Sequence, residues 1–282
     1  MRIRANSIIL QLVLAITSSP VTAQVRQPPD RSLGPSRPES LQTDKPSPIL
    51  EVLNMVERRY GWHVTFEEAP FENPEDIVDR RTPEQVKANP TGPPWLAVKW
   101  RPLRVDYRVL ERTGEPDRRE FMTEAMRAYM TSRNPGVYKF VESGDITHIQ
   151  PALFRRKPGA LEPTGSILDA RVSFPAEPRD GYRMVLTILD SIAAVRRVQI
   201  VSGTLPTNAL RQTRVDWGAN NEEARTLLFK LFADMNSQRD GKIRITWRIL
   251  YDVEQKQYWF NAHIVTRERP NAFGGVTPEW VK

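Results

Sequence analysis

Two runs near the C-terminal end constrain the fold more than anything else in the chain. Ile243, Ile245, Trp247, Ile249 and Tyr251 recur at period two, and after a turn at 253–256 so do Tyr258, Phe260, Ala262 and Ile264. One antiparallel register aligns them all: Tyr251 with Tyr258, Ile249 with Phe260, Trp247 with Ala262, and Ile245 with Ile264. A slip by one residue would turn the whole apolar set to the opposite face, so the pairing is strongly specified.

This hairpin closes a longer unit. Residues 167–174 read as a strand ended by Pro175. Val185, Ile188, Leu189, Ile192 and Val195 recur at helical spacing and predict a helix over 181–196. A short strand at 198–201 and another at 212–217 follow. Asn220 or Asn221 is expected to cap the next helix, with Glu222 and Glu223 in its first turn. That helix carries the stripe Ala224, Leu227, Leu228, Leu231, Phe232 and Met235.

A looser version of the same plan lies upstream. Ile49, Val52, Leu53 and Val56 predict a helix ending near Gly61, with a strand at 62–66 behind it. A strand at 103–110, a helix at 118–132 and a hairpin of 137–141 with 146–150 complete it. Between them, residues 67–99 form an insertion broken by Pro70, Pro74, Pro83, Pro90, Pro93 and Pro94. The expected fold class is therefore α+β, in two small modules at 49–154 and 166–266 with the first interrupted. Residues 155–165, with Pro158, Gly159, Pro163 and Gly165, mark the boundary. Residues 24–48 read as a disordered proline-rich linker, and 267–282 as a flexible tail whose one adhesive residue is Trp280.

The address is expected to lie outside the cytoplasm. Arg2 and Arg4 precede an apolar run at 8–16, Pro20 breaks that run, and Val21-Thr22-Ala23 suits a signal peptidase. The run is about half the roughly 20 residues that a membrane span requires. Residues 1–23 thus read as a cleavable signal peptide, leaving a soluble periplasmic or secreted protein. The chain has no cysteine, which excludes disulfides, thiol catalysis and cysteine-ligated metal. Stability has to come from core burial. The net charge of +7 is scattered along the chain. It forms no basic stripe of the kind that reads nucleic acid, while weak attraction to anionic envelope polymers or lipid head groups remains compatible with it.

The segment from Ile49 to Glu57, followed by Tyr60-Gly61-Trp62-His63-Val64-Thr65-Phe66, resembles the short N-terminal domain shared by secretins and TonB-dependent receptors. Arg214-Val215-Asp216 leading to Glu223-Ala224-Arg225-Thr226-Leu227-Leu228 repeats the likeness in the second copy. The resemblance covers 49–150 and 167–266. It implies modules in which two helices pack with two small sheets, serving as interaction or signalling units in the envelope. No pore or receptor barrel is recognised beside them, so transport is not carried over. The insertion after Phe66 departs from the family pattern.

Catalytic signatures are sparse. His63, His148 and His263 have no second ligand at metal spacing and read as packed or surface histidines, and no metal or other cofactor is expected. Ser143-Gly144 and Ser202-Gly203 read as turns. Glu67-Glu68 at a strand end, and Asp76 with Asp79 in the insertion, read as solvated charge. Two surfaces stand out for binding. Arg244, Thr246 and Arg248 align with Trp259, Asn261 and His263 on the polar face of the hairpin, a composition typical of interfaces unless another element of the same domain covers it. Trp95 and Trp100 flank Lys99 after Pro93-Pro94, where a stiff aromatic loop can dock on a neighbour or enter the core. The leading expectation is a non-enzymatic adaptor with an envelope protein as partner. A hydrolase of an envelope polymer is the competing class, and a carrier of a small anionic ligand the third. A carrier should show a cavity lined by apolar and arginine side chains, and an adaptor a flat or edge-type surface.

Overall fold

The computed structural model describes residues 35–239, 241, 243–271 and 275–281. The expected signal peptide lies outside them. The fold is α+β, and no helix among the described residues is long and apolar enough to cross a membrane.

The first module begins earlier than its sequence suggests, with strand β1 (Ser36–Thr43), helix α1 (Pro48–Tyr60) and strand β2 (His63–Glu67). The insertion contains β3 (Ile77–Asp79), the short helix α2 (Pro83–Ala88) and β4 (Leu96–Val98). Then come β5 (Leu103–Leu110), α3 (Arg118–Thr131), β6 (Val137–Ser143) and β7 (Ile146–Phe154). A two-residue strand β8 (Glu162–Pro163) on the edge of β7 lies in the connection. The second module runs β9 (Arg171–Phe174), β10 (Arg179–Asp180), α4 (Gly181–Arg196), β11 (Gln199–Ser202), α5 (Thr207–Gln212), β12 (Arg214–Val215), β13 (Ala219–Glu223), α6 (Ala224–Ser237), β14 (Ile245–Asp252) and β15 (Gln257–Ile264). A final ribbon, β16 (Thr266–Pro270) with β17 (Val276–Trp280), follows it.

The two modules share one topology. In each, a two-stranded sheet (β1 with β5, β9 with β13) lies beside a three-stranded one, β2-β7-β6 or β11-β15-β14. The strand after the first helix runs parallel to the last strand in both. Ile49, Val52, Leu53 and Val56 of α1 correspond to Val185, Ile188, Leu189 and Ile192 of α4, all of them buried. Phe121, Met122, Ala125, Met126 and Tyr129 of α3 correspond likewise to Leu227, Leu228, Leu231, Phe232 and Met235 of α6. Both first helices end on a left-handed residue, Gly61 at φ 67° and Arg197 at φ 55°. At Gly61 a side chain would also meet Val281 Cγ2, 2.7 Å from its Cβ position. The register of β14 with β15 pairs Tyr251 with Tyr258 and Ile245 with Ile264, as the alternation requires.

The three-stranded sheets fuse. β14 pairs in parallel with β2, giving the continuous order β11-β15-β14-β2-β7-β6, a seven-stranded sheet once β8 is added. At this seam Arg248 stands opposite Phe66, and Ile249 opposite Glu67. Phe66 faces the core under α1 and α3, whereas Trp247 and Ile249 face the core of α4 and α6. The helices of the two modules therefore cover opposite faces of one sheet. A half-turn about an in-plane axis across the strands, with a shift along it, carries one module onto the other. Each also reaches over its neighbour: Phe229 of α6 packs on His148 of β7, and Leu250 of β14 on the first core.

Four expectations are corrected. The segment 36–43 is a strand despite Pro38, because it lies on the outer side of a two-stranded sheet where a missing N–H is tolerated. In the tail, residues 266–270 and 276–280 form a ribbon anchored to α1 and the α3 approach by Arg58–Glu268 and Arg267–Glu115 pairs, with the Val281 N–H bonded to the Val265 carbonyl. The strand expected at 212–217 shrinks to Arg214–Val215, and the partner of β9 is β13. Asn220 and Asn221 consequently lie in that strand, and Glu223 is the residue that precedes α6, with no side-chain cap.

Candidate functional site

The seam between the modules is held by buried charge. Glu57 projects from α1, its Oε2 2.5 Å from Arg248 on β14 and its Oε1 2.6 Å from His263 on β15. Burial opposes the carboxylate's charge, but the bond from His263 and the Arg248 guanidinium outweigh it and hold Glu57 below its ordinary range. Arg248 also donates to the Val64 carbonyl, as does the Thr246 hydroxyl. The β2 edge is thus met partly by side chains. His63 Nε2 lies 2.7 Å from the Ile245 carbonyl. A carbonyl only accepts, so Nε2 bears the proton, and burial keeps the ring in its neutral form.

Two further carboxylates end β2. Glu67, 2% exposed, pairs at 2.8 Å with Arg225 of α6 and accepts from Ser166 Oγ, while Arg225 also reaches Asp169 at 3.1 Å. Glu68, 6% exposed, accepts from Ser47 Oγ at 3.0 Å and from the Tyr251 N–H at 2.9 Å. It has no ion-pair partner among the described residues, and burial pushes it up to about 7. These two had read as solvated charge. They are buried because β2, which looks like an edge in one module, is central in the fused sheet. Asp76 is buried too, beside Asn73 and Arg155, and Asp79 organises the insertion by binding Arg81 and the Trp95 N–H.

Beside the seam, three stretches of chain that are distant in sequence enclose a cleft: the insertion, the connection at 156–167, and the turn of the second hairpin with the start of β11. It has two adjoining chambers. One, of about 640 Å³, is walled by Phe71, Pro74, Ile77, Val78, Leu96 and Val253. The other, of about 430 Å³, is bordered by Arg196, Arg197, Gln199, Thr164 and Ser166. Arg156, Lys256, Tyr251 and Glu72 line both. Four cations thus face a single carboxylate around the second chamber. Arg197, which ends α4, and Lys256, in the turn of the second hairpin, both have left-handed backbone, at φ 55° and 53°. Arg196 is steadied by the Ser166 carbonyl at 3.1 Å, and Arg156 lies over the Phe154 ring at 5.2 Å. Tyr251 and Tyr258 meet edge to face at 5.0 Å on the wall, and burial, then Glu72, pushes the Tyr251 hydroxyl up to about 12.

The residues singled out from sequence divide between inside and outside. Arg248 is only 5% exposed and His263 touches Glu57, so the polar face of the hairpin is covered by the first module, and its partner is intramolecular. Arg244 pairs with Asp145 at the β6–β7 turn. Trp259 stays at the surface. Trp100 turns inward, edge to face against Phe71 at 5.2 Å. Trp95 is 60% exposed on a loop pinned at both backbone groups, its N–H to Asp79 and its carbonyl to the Arg80 N–H. Among the described residues no three His, Asp or Glu side chains converge to hold a metal ion. Sequence reasoning missed Glu57 and Arg225, whose partners Arg248 and Glu67 lie in the other module, and the cleft cations, which come from three separate stretches of chain. The one available signal was two consecutive glutamates directly after an apolar strand.

No protein family matches this chain, and no curated protein matches it in sequence.

Proposed function

We propose that this chain is an exported, non-enzymatic binding protein of the cell envelope, and that the cleft beside the seam holds an anionic group of its ligand. The observation that carries this reading is the charge around the second chamber, with Arg156, Arg196, Arg197 and Lys256 against Glu72. Arginine forks suit phosphate or carboxylate oxygens, and partial enclosure strengthens each charge-assisted bond. Chambers of this size fall within the range of small-ligand sites, about 300–1,000 Å³. The export reading rests on residues 1–23. The secretin-like element order in both halves supports an envelope role without catalysis.

The test is calorimetric titration of the mature chain with inorganic pyrophosphate at low and moderate salt. Binding should weaken as salt rises and vanish in Arg197→Glu/Lys256→Glu, a variant that should keep the parent's circular dichroism and melting curve. Binding unchanged by that double reversal would sink the assignment of the cleft. A second reading, the adaptor, draws on Trp95, an exposed indole on a pinned loop. There, Trp95→Ala should abolish capture of an envelope protein partner while anion binding persists.

A further inference from the structure

We propose that the occupant of the cleft is a single-chain amphiphile with a phosphate head, lying with its apolar chain in the larger chamber and its head against the arginines of the smaller one. This rests on the reading of the cleft as the binding site and adds the chemical class of its ligand.

The two chambers differ in chemistry while sharing a wall. Phe71, Ile77, Leu96 and Val253 give the larger chamber an apolar lining; of its two acids, Asp79 is already held by Arg81 and the Trp95 N–H, and Glu72 stands at the border with the smaller chamber beside Arg156 and Lys256. An inorganic anion gains nothing from that lining. An acyl or alkyl chain buries it, at about 25 cal/mol per Å² removed from water. The smaller chamber has the opposite character. Arg196 and Arg197 are adjacent in sequence at the C-terminal end of α4, and Lys256 approaches from the hairpin turn. Several cations around one acid exceed what a single carboxylate needs and suit the two charges of a phosphate monoester. Arg156 and Lys256 border both chambers, which places positive charge at the junction of head and chain.

The experiment compares decyl phosphate, butyl phosphate, inorganic phosphate and decanol, each below its aggregation concentration, by calorimetry on the mature chain. Trp100, packed on Phe71 at the chamber wall, gives a second readout through its fluorescence. Decyl phosphate should bind at least about tenfold more tightly than butyl phosphate, since each added methylene contributes when buried. Ile77→Asp should erase that chain-length dependence and leave phosphate binding intact, with Leu96→Asn as the alternative should Ile77→Asp fail to fold. Arg197→Glu/Lys256→Glu should abolish binding of both esters. Equal affinity for decyl and butyl phosphate, still lost in the charge reversal, overturns the amphiphile but leaves the anion site standing. Decanol binding as tightly as decyl phosphate, or no binding by any of the four, overturns both.

Discussion

Strands β2 and β11 occupy the same place in the two modules, yet one is the middle of a sheet and the other its edge. The residues around them explain the difference. Where the first module has Glu57 on its helix, the second has Ala193; where β2 begins with His63, β11 begins with Gln199. On the opposite strand, the register that matches Ile249 with Phe140 matches Arg248 with Lys139 and Thr246 with Val137. The seam needs a carboxylate, an arginine and a hydroxyl. The outer edges hold none of these at the matching positions. At the next position along, the Glu68 N–H crosses the seam to the Ile249 carbonyl, whereas the corresponding Thr204 N–H is taken at 2.8 Å by Asn261 from its own module. The backbone plan alone would let the sheet continue. Side chains decide that it stops at two modules, a device edge strands use against unwanted pairing.

The comparison breaks most visibly at its charged pair. Arg248→Ala leaves Glu57 buried with His263 alone and should cost about 3–5 kcal/mol in urea-melt stability. The matching change, Lys139→Ala, removes an exposed side chain and should stay within about 0.5 kcal/mol. Similar losses at both positions would refute the seam's role.

A smaller effect is expected at Glu68. Its folded pKa is raised to about 7 from 4.5, so the unfolded chain ionises first. The fold carries no penalty below pH 4.5, a growing one from there to pH 7, and a constant one of about 3 kcal/mol above. Glu68→Gln can accept from the Tyr251 N–H through its oxygen and donate to Ser47 Oγ. It should therefore melt higher than the parent at pH 8, with the gain gone at pH 4.5. A gain independent of pH would contradict the assignment.

The smallest effect sharpens the comparison. Asn261→Ala frees the Thr204 N–H and should cost about 1 kcal/mol. It should also raise self-association in sedimentation velocity, because the β11 edge is then open. Unchanged association would mean that the edge is closed by something other than this amide.

Much of the fold could be read from the residues, and the reason is local. The second hairpin declares its register because nine apolar side chains obey one period. The helices declare themselves through stripes such as Leu227, Leu228, Leu231 and Phe232. Strand β1 escaped notice because Ser36–Thr43 is half-exposed, carries Pro38, and makes sense only once it meets β5 some 60 residues later. The seam was illegible for the same reason on a larger scale. Glu57 and Arg248 are 191 positions apart, and no periodicity links them. The hairpin's polar face did look like an interface. It is one, with the partner supplied by the same chain. The cleft could not be foreseen, since its walls come from an insertion, a connection and a turn that share no pattern.

The fused sheet also fixes an order of events. The β2 edge is completed by residues some 180 positions downstream, where Thr246 and Arg248 meet the Val64 carbonyl. At a synthesis rate of about 5–20 residues per second, that strand waits roughly ten seconds or longer for its neighbour. Until then Glu57, Glu67 and Glu68 lack the burial that the finished molecule gives them. The first half is thus kept from settling into its final form while the second is still being made. Such a delay would suit the export proposed for this chain.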